Sequence, residues 1–169
     1  MQSNILDDVL DYKMVVVFCG MAVSTQSDDR KAYFAGNGNK FWRTLNNIGL
    51  TEIVLEPNKY KDLKKLGIGL TDIIKNQSGS DNAVKSVASD VDILKSKIMK
   101  YRPALFAFNG KKSAKLFFKK RRVEYGEQKD YKLGKTRIFV LPSTSGAASG
   151  YWNETYWNNI GNLVKEMRR

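Results

Sequence analysis

The chain predicts a three-layer α/β/α sandwich around a mainly parallel sheet. Short apolar runs, each closed by Gly, Asn or Pro, read as strands buried on both faces, and helical patterns lie between them. With 169 residues, 42% of them hydrophobic and 27% charged, one domain spanning residues 1–169 can bury its own core.

The first strand is Met14 to Cys19, which runs into the glycine of FCGMAVSTQS. A buried strand feeding a glycine turn commonly builds a ligand site at the carboxyl end of a sheet. Asp28 and Asp29 follow in what reads as a loop, and then comes AYFAGNGNKFW, Ala32 to Trp42. Its small residues let a ligand approach main-chain N–H groups, and Phe34 or Tyr33 offers a face to a planar base. The competing reading of either ring is core packing. Helices are predicted over Lys40 to Ile48 and about Tyr60 to Leu66. LGIGLTD, Leu66 to Asp72, reads as a second loop, with Thr71 or Asp72 as the alternative cap of a helix starting at Ile73 and Ile74. After the loop NQSGSD, Asn76 to Asp81, come a helix at Val91 to Tyr101, the strand Ala104 to Asn109, a helix at Lys111 to Phe118 and the strand Arg137 to Leu141. The third loop, LPSTSGAAS, leads into an amphipathic helix at Glu154 to Met167.

Twenty-nine Lys and Arg against seventeen Asp and Glu give a net charge of +12, with no histidine to titrate. Such an excess favours a polyanionic partner, nucleic acid before an anionic membrane surface. No apolar run approaches the roughly 20 residues of a membrane span, and MQSNILDDVLDYK has neither the basic start nor the apolar stretch of a secretory signal. A cytoplasmic protein is expected, nucleoid-associated if the source is bacterial. Cys19 stands alone, so no internal disulfide forms, and without histidine no zinc constellation is available. No metal or cofactor is expected. Cys19 reads as a packing thiol rather than a nucleophile, since no histidine activates it.

Four segments in order carry a resemblance. They are the apolar strand into FCG; the F-A-x-x-x-N-x-F-W pattern at Phe34, Ala35, Asn39, Phe41 and Trp42; G-[VL]-T at Gly69 to Thr71; and L-P-x-x-S-G at Leu141 to Gly146. A F-N-G-K turn at Phe108 to Lys111 separates the last two. Together they resemble the mismatch-specific uracil-DNA glycosylases, which include the thymine-DNA glycosylases, from about Val15 to Gly161. The resemblance implies a uracil-DNA glycosylase-like fold. It also implies an enzyme that flips a damaged base from DNA and hydrolyses its N-glycosidic bond, because the reacting sugar carbon is shielded in the stack. By the same resemblance Phe34 stacks on the flipped base, Gly20 and Met21 line its pocket with main-chain groups, and Asn39 fixes the loop. Ser143 to Ser149 enters the minor groove and presses on phosphates, with Ser143, Ser145, Gly146, Ala147 and Ala148 as contacts beside Asn109.

Two departures bear on chemistry. The mismatch-specific group has G-x-N-P-G in the first turn, with an asparagine that positions water; this chain has Ala22 there. Some other uracil-DNA glycosylases carry alanine at the matching position and draw a carboxylate from elsewhere. Asp72 is the first expected substitute, and Asp29 and Asp28 the second. A carboxylate stabilises a developing sugar cation and accepts a proton from water, whereas Ser24, Gln26 and Ser27 only orient it. For Asp28 and Asp29 a solvated loop is the competing reading. The second departure is Ala147, Ala148 and Ser149 in the insertion loop, too small to act as wedges. The opposite strand is therefore weakly read, and comparable action on single strands is expected. Tyr151 and Trp152 are possible replacements or the start of the last helix. Lys111 and Lys112, at a helix start, suit the DNA backbone, with a solvated face as the alternative. The basic residues Lys119 to Arg122 suggest a hairpin or loop. The expectation is a monomeric, monofunctional glycosylase of double-stranded and also single-stranded DNA, or alternatively an inactive damaged-base binder of the same fold.

Overall fold

The computed structural model describes residues 3–169; Met1 and Gln2 lie outside the described residues. Five strands form one sheet in the order β2-β1-β3-β5-β4: β1 Val16–Val23, β2 Ile68–Ser78, β3 Leu105–Asn109, β4 Gly126–Glu127 and β5 Arg137–Leu141. β1 pairs in parallel with β2 and β3, and β3 with β5; only β4 runs antiparallel, beside β5. The predicted α/β class and parallel sheet hold.

The helices are α1 Thr25–Arg30, α2 Phe41–Asn47, α3 Ala88–Tyr101, α4 Lys111–Phe118 and α5 Glu154–Met167. Two tighter 3₁₀ stretches, Pro57–Leu66 and Gly146–Tyr151, complete the chain. β5, α4 and α5 have the bounds that their apolar spacing predicts. Phe18 of β1 stacks on Trp157 of α5 with centroids 5.4 Å apart and meets Phe41 of α2 edge-on at 5.5 Å, so both helices cover one region of the sheet. Gly161 makes that cover close, because a Cβ there would lie 2.7 Å from the Ile48 carbonyl oxygen.

Several expectations are corrected. Gly20 is no turn: β1 continues through Met21 and Ala22 to Val23. The segment LGIGLTD is not a loop, and no helix begins at Ile73; Ile68 through Ser78 is one strand, with Thr71 and Asp72 inside it rather than capping anything. Asp28 and Asp29 sit on α1 rather than in a loop. Trp152 precedes α5, and Tyr151 ends a 3₁₀ stretch.

One feature of the fold has no counterpart in the sequence reading. The segment before β1 runs antiparallel along the outer edge of β2. Val9 and Leu70 exchange backbone hydrogen bonds of 2.9 Å each, and Ile5 N–H donates to the Lys75 carbonyl at 2.7 Å. Covering an edge in this way removes a row of open donors and acceptors.

Candidate functional site

Parallel pairing aligns the carboxyl ends of β1, β2, β3 and β5. Cys19 pairs with both Thr71 and Phe108, and Asn109 with Leu141, so Gly20, Asp72, Asn109 and Pro142 come up at one end of the sheet. Gly20 and Asp72 are register partners. Partners in a ladder put their side chains on the same face, and here the glycine contributes none. A Cβ on Gly20 would lie 2.6 Å from Asp72 Oδ1, so the carboxylate occupies the space that the glycine leaves. The Phe34 ring closes the same spot, with Cε1 3.7 Å from that Cβ position. Behind it lies Phe41, centroid to centroid 4.2 Å.

Asp72 is 3% exposed, and among the described residues its Oδ2 is buried without a hydrogen-bond partner. Burial disfavours the charged form and pushes its pKa up to about 6, with Lys75 pulling the other way. A desolvated carboxyl that still ionises near neutrality suits proton transfer.

The approach to this spot is built by α1 and the residues after it. Ser24 caps α1 by accepting from Ser27 N–H at 3.1 Å. The Ser27 hydroxyl accepts from Ala35 N–H at 2.9 Å, Gln26 Oε1 accepts from Asn37 N–H at 2.7 Å, and Arg30 donates to the Ala35 carbonyl and, at 3.1 Å, to Asn37 Oδ1. Ser24, Gln26 and Ser27 therefore shape the Phe34 to Asn37 turn. Asn39 Oδ1 accepts from Phe41 N–H at 3.0 Å, at the start of α2.

The later segments join it. Asn109 and Thr144 exchange two hydrogen bonds of 2.9 Å, and Lys40 N–H donates to the Thr144 carbonyl at 2.8 Å. Gly146 lies so close to Gly38 that a Cβ on it would be 3.4 Å from the Gly38 oxygen, and Lys40 Nζ donates to Ser149 Oγ at 3.1 Å. Gly110, with φ +111°, would place a Cβ 3.2 Å from Ser143 Cβ. Ser143, Ser145, Ala147 and Ala148 thus belong to a segment stitched to both the Phe34 turn and the start of α4. Gly146 and Ala147 are exposed, and Tyr151 is 76% exposed at the end of the same stretch.

Other candidates are placed elsewhere or committed. Asp28 is engaged by Lys31 Nζ at 2.6 Å and by the Ser78 hydroxyl at 2.8 Å; the Lys31 contact, then that of Ser78, holds its carboxyl below the usual range. Asp29 is exposed on α1. Tyr33 is 2% exposed and therefore no platform. Cys19 is buried, donates to the Gly20 carbonyl at 3.3 Å and is pushed well above the ordinary thiol pKa by burial, in keeping with packing. Ala22, half-buried opposite Ile74, offers only a methyl group. Lys111 Nζ lies 4.2 Å from the Tyr125 ring centroid, whereas Lys112 is exposed. A cavity of about 500 Å³ lies between α3 and the first residues, lined by Asp8, Leu10, Ile93, Lys97 and Tyr101.

Sequence reasoning missed a polar cluster at the β2 edge. Asp8 pairs with Lys75 at 2.9 Å and Lys97 at 2.6 Å, and accepts from Thr71 Oγ1 at 2.7 Å. Burial works to raise its pKa, but the two lysines hold it below the usual carboxylate range. The one available signal was a lysine directly after the apolar pair Ile73 and Ile74 in IGLTDIIK.

The model of the Uracil DNA glycosylase superfamily matches residues 8–161. Among solved structures, the solution NMR structure of a candidate uracil DNA glycosylase from Methanosarcina acetivorans is similar with a TM-score of 0.64 and 25% identity, over 97% of this chain and 98% of that one. No helix among the described residues is long and apolar enough to cross a membrane. A family match over most of the chain, on a sheet whose strand ends converge as described, means that the chain belongs to the uracil DNA glycosylase superfamily, whose members are generally N-glycosylases acting on DNA.

Proposed function

We propose that this protein is a monofunctional DNA glycosylase of the mismatch-specific type that hydrolyses the N-glycosidic bond of a deaminated base, uracil first, leaving an abasic site. It acts as a monomer and a single domain. The observation that carries the reading is the buried Asp72 carboxylate fitted against Gly20 beside the Phe34 ring. A flipped base lies along Phe34. As its bond to the sugar lengthens, positive charge grows on the sugar and negative charge on the base. The Asp72 carboxylate stabilises the sugar cation and takes a proton from the attacking water, whose oxygen bonds to the sugar carbon while the base leaves with the bonding pair. The main-chain N–H of Met21, on the edge of β1 that β3 no longer pairs beyond Cys19, serves the departing base. Lys112 and the Ser143 to Ser149 segment grip phosphates, with strand opposition weakly read.

Lys75 is committed to Asp8 and Tyr33, which argues against an imine-forming amine and against strand cleavage. A duplex with uracil opposite guanine, incubated with protein and then treated with alkali, tests the reading. Breakage only after alkali is expected, and should be lost in Asp72→Asn and weakened in Phe34→Ala. A stable complex with intact DNA would favour an inactive binder, the reading that the methyl group of Ala22 supports.

A further inference from the structure

Tyr33 is fixed at both ends. Its carbonyl accepts from Trp42 Nε1 at 3.1 Å; its hydroxyl donates to the Asp7 carbonyl at 3.0 Å and accepts from Lys75 Nζ at 2.8 Å. Its ring meets Tyr60 edge-on at 5.3 Å. The next residue, Phe34, has φ +52°. For a bulky side chain this left-handed conformation is an outlier, and such strain persists where the surroundings over-determine it. Here the surroundings are a chain of contacts that starts outside the base site. Asp8 holds Lys75, and Lys97 and Thr71 hold Asp8. Lys75 is itself buried, with its Nζ 5.2 Å from the Tyr33 ring centroid. An ammonium in that place needs its partners, because a buried charge left alone is costly.

We propose that Lys75, seated on Asp8, is a positioning residue for base recognition: through the Tyr33 hydroxyl it holds Phe34 in the left-handed conformation that lays its ring beside Gly20. Lys75 touches neither base nor sugar. The inference rests on the reading of Phe34 as the platform for the flipped base. It adds that the platform is set from the far edge of β2, by residues that a map of DNA contacts would omit.

Tyr33→Phe is the mild test, since it keeps the ring and deletes only the hydroxyl. In the folded variant the single-turnover rate of base release should fall about tenfold or more, while affinity for undamaged duplex stays as in the wild type. Read on the high-pH plateau, because Lys75 also pulls the Asp72 pKa down, Lys75→Met should lower the rate alike, and adding it to Tyr33→Phe should cost little more, as expected of two groups acting through one contact. The full chain labelled with 4-fluorophenylalanine gives a second readout without DNA. The Phe34 fluorine resonance, assigned by its loss in Phe34→Leu, should shift or broaden in Lys75→Met, which adds no phenylalanine to the chain. A folded Tyr33→Phe protein with a lower melting temperature but the wild-type rate would reduce the network to plain stabilisation and overturn the proposal. If the wild type releases no base, the proposed function fails separately, and the fluorine signal still decides: an unmoved Phe34 resonance in Lys75→Met overturns the inference.

Discussion

Asp72 and Gly20 form one unit, and each has its own measurable consequence. The folded pKa of Asp72, about 6, lies above the ordinary carboxyl value of 3.8. Stability from the neutral carboxyl is therefore fully present below about pH 4 and is lost as pH rises through 6. Asp72→Asn should be more stable than the wild type by up to about 3 kcal/mol at pH 8, with the difference vanishing near pH 3.5 in urea unfolding series. The same substitution should lower single-turnover base release by about 10²–10⁴-fold, which would make the group that costs stability the one that the proposed chemistry uses. For the wild type, kcat/KM should rise with pH through a midpoint near 6, and a flat profile from pH 5 to 8 would remove Asp72 as the base. Gly20→Ala drives a methyl group to 2.6 Å from Asp72 Oδ1. It should destabilise by about 1–3 kcal/mol and abolish base release, read by thermal melting and by the alkali assay.

Elements differ in how openly the sequence declares them. KKSAKLFF and RIFVL follow simple apolar spacing between turn residues, and the structure gives them their expected ends. β2 was hidden because its interior is polar at Thr71, Asp72 and Lys75, a pattern that alone resembles a cap followed by a helix. Those residues are tolerated in a buried strand because Asp8, Tyr33 and Gly20 meet them, through side-chain contacts between positions at least 42 apart in the chain. Local pattern carries no information about such partners. Asp72 could be singled out from the resemblance and from the absence of an amide at Ala22, but its burial and its fit to Gly20 came only with the register of β1 and β2. α1 was obscured differently: its six residues are too few for a periodic signal, and its work is to hold the Phe34 to Asn37 turn. Ser27→Ala removes the acceptor for Ala35 N–H. It should cost about 1–2 kcal/mol and should slow base release more than it weakens duplex affinity, by comparison of single-turnover rates with gel-shift binding.

Over the whole molecule, the net charge of +12 and the convergence of three chain segments at one end of the sheet set how DNA is approached. Lys112 is exposed at the start of α4, with its Nζ 3.5 Å from Asn82 Oδ1, whereas Lys111 lies over the Tyr125 ring. Lys112→Ala should weaken duplex binding uniformly across sequences and reduce the salt slope of log affinity by about 1, measured by titration at several salt concentrations. An unchanged slope would place Lys112 off the phosphate track. The edge cover of β2 has a different kind of consequence. Asp8 belongs to a short ribbon held to the sheet by a handful of main-chain bonds, yet it is the counter-charge of two lysines. A protease cut just after Asp8 that freed this ribbon would leave the buried Lys75 ammonium without its carboxylate, so damage at the molecule's outermost margin would reach Tyr33 and the turn that follows it.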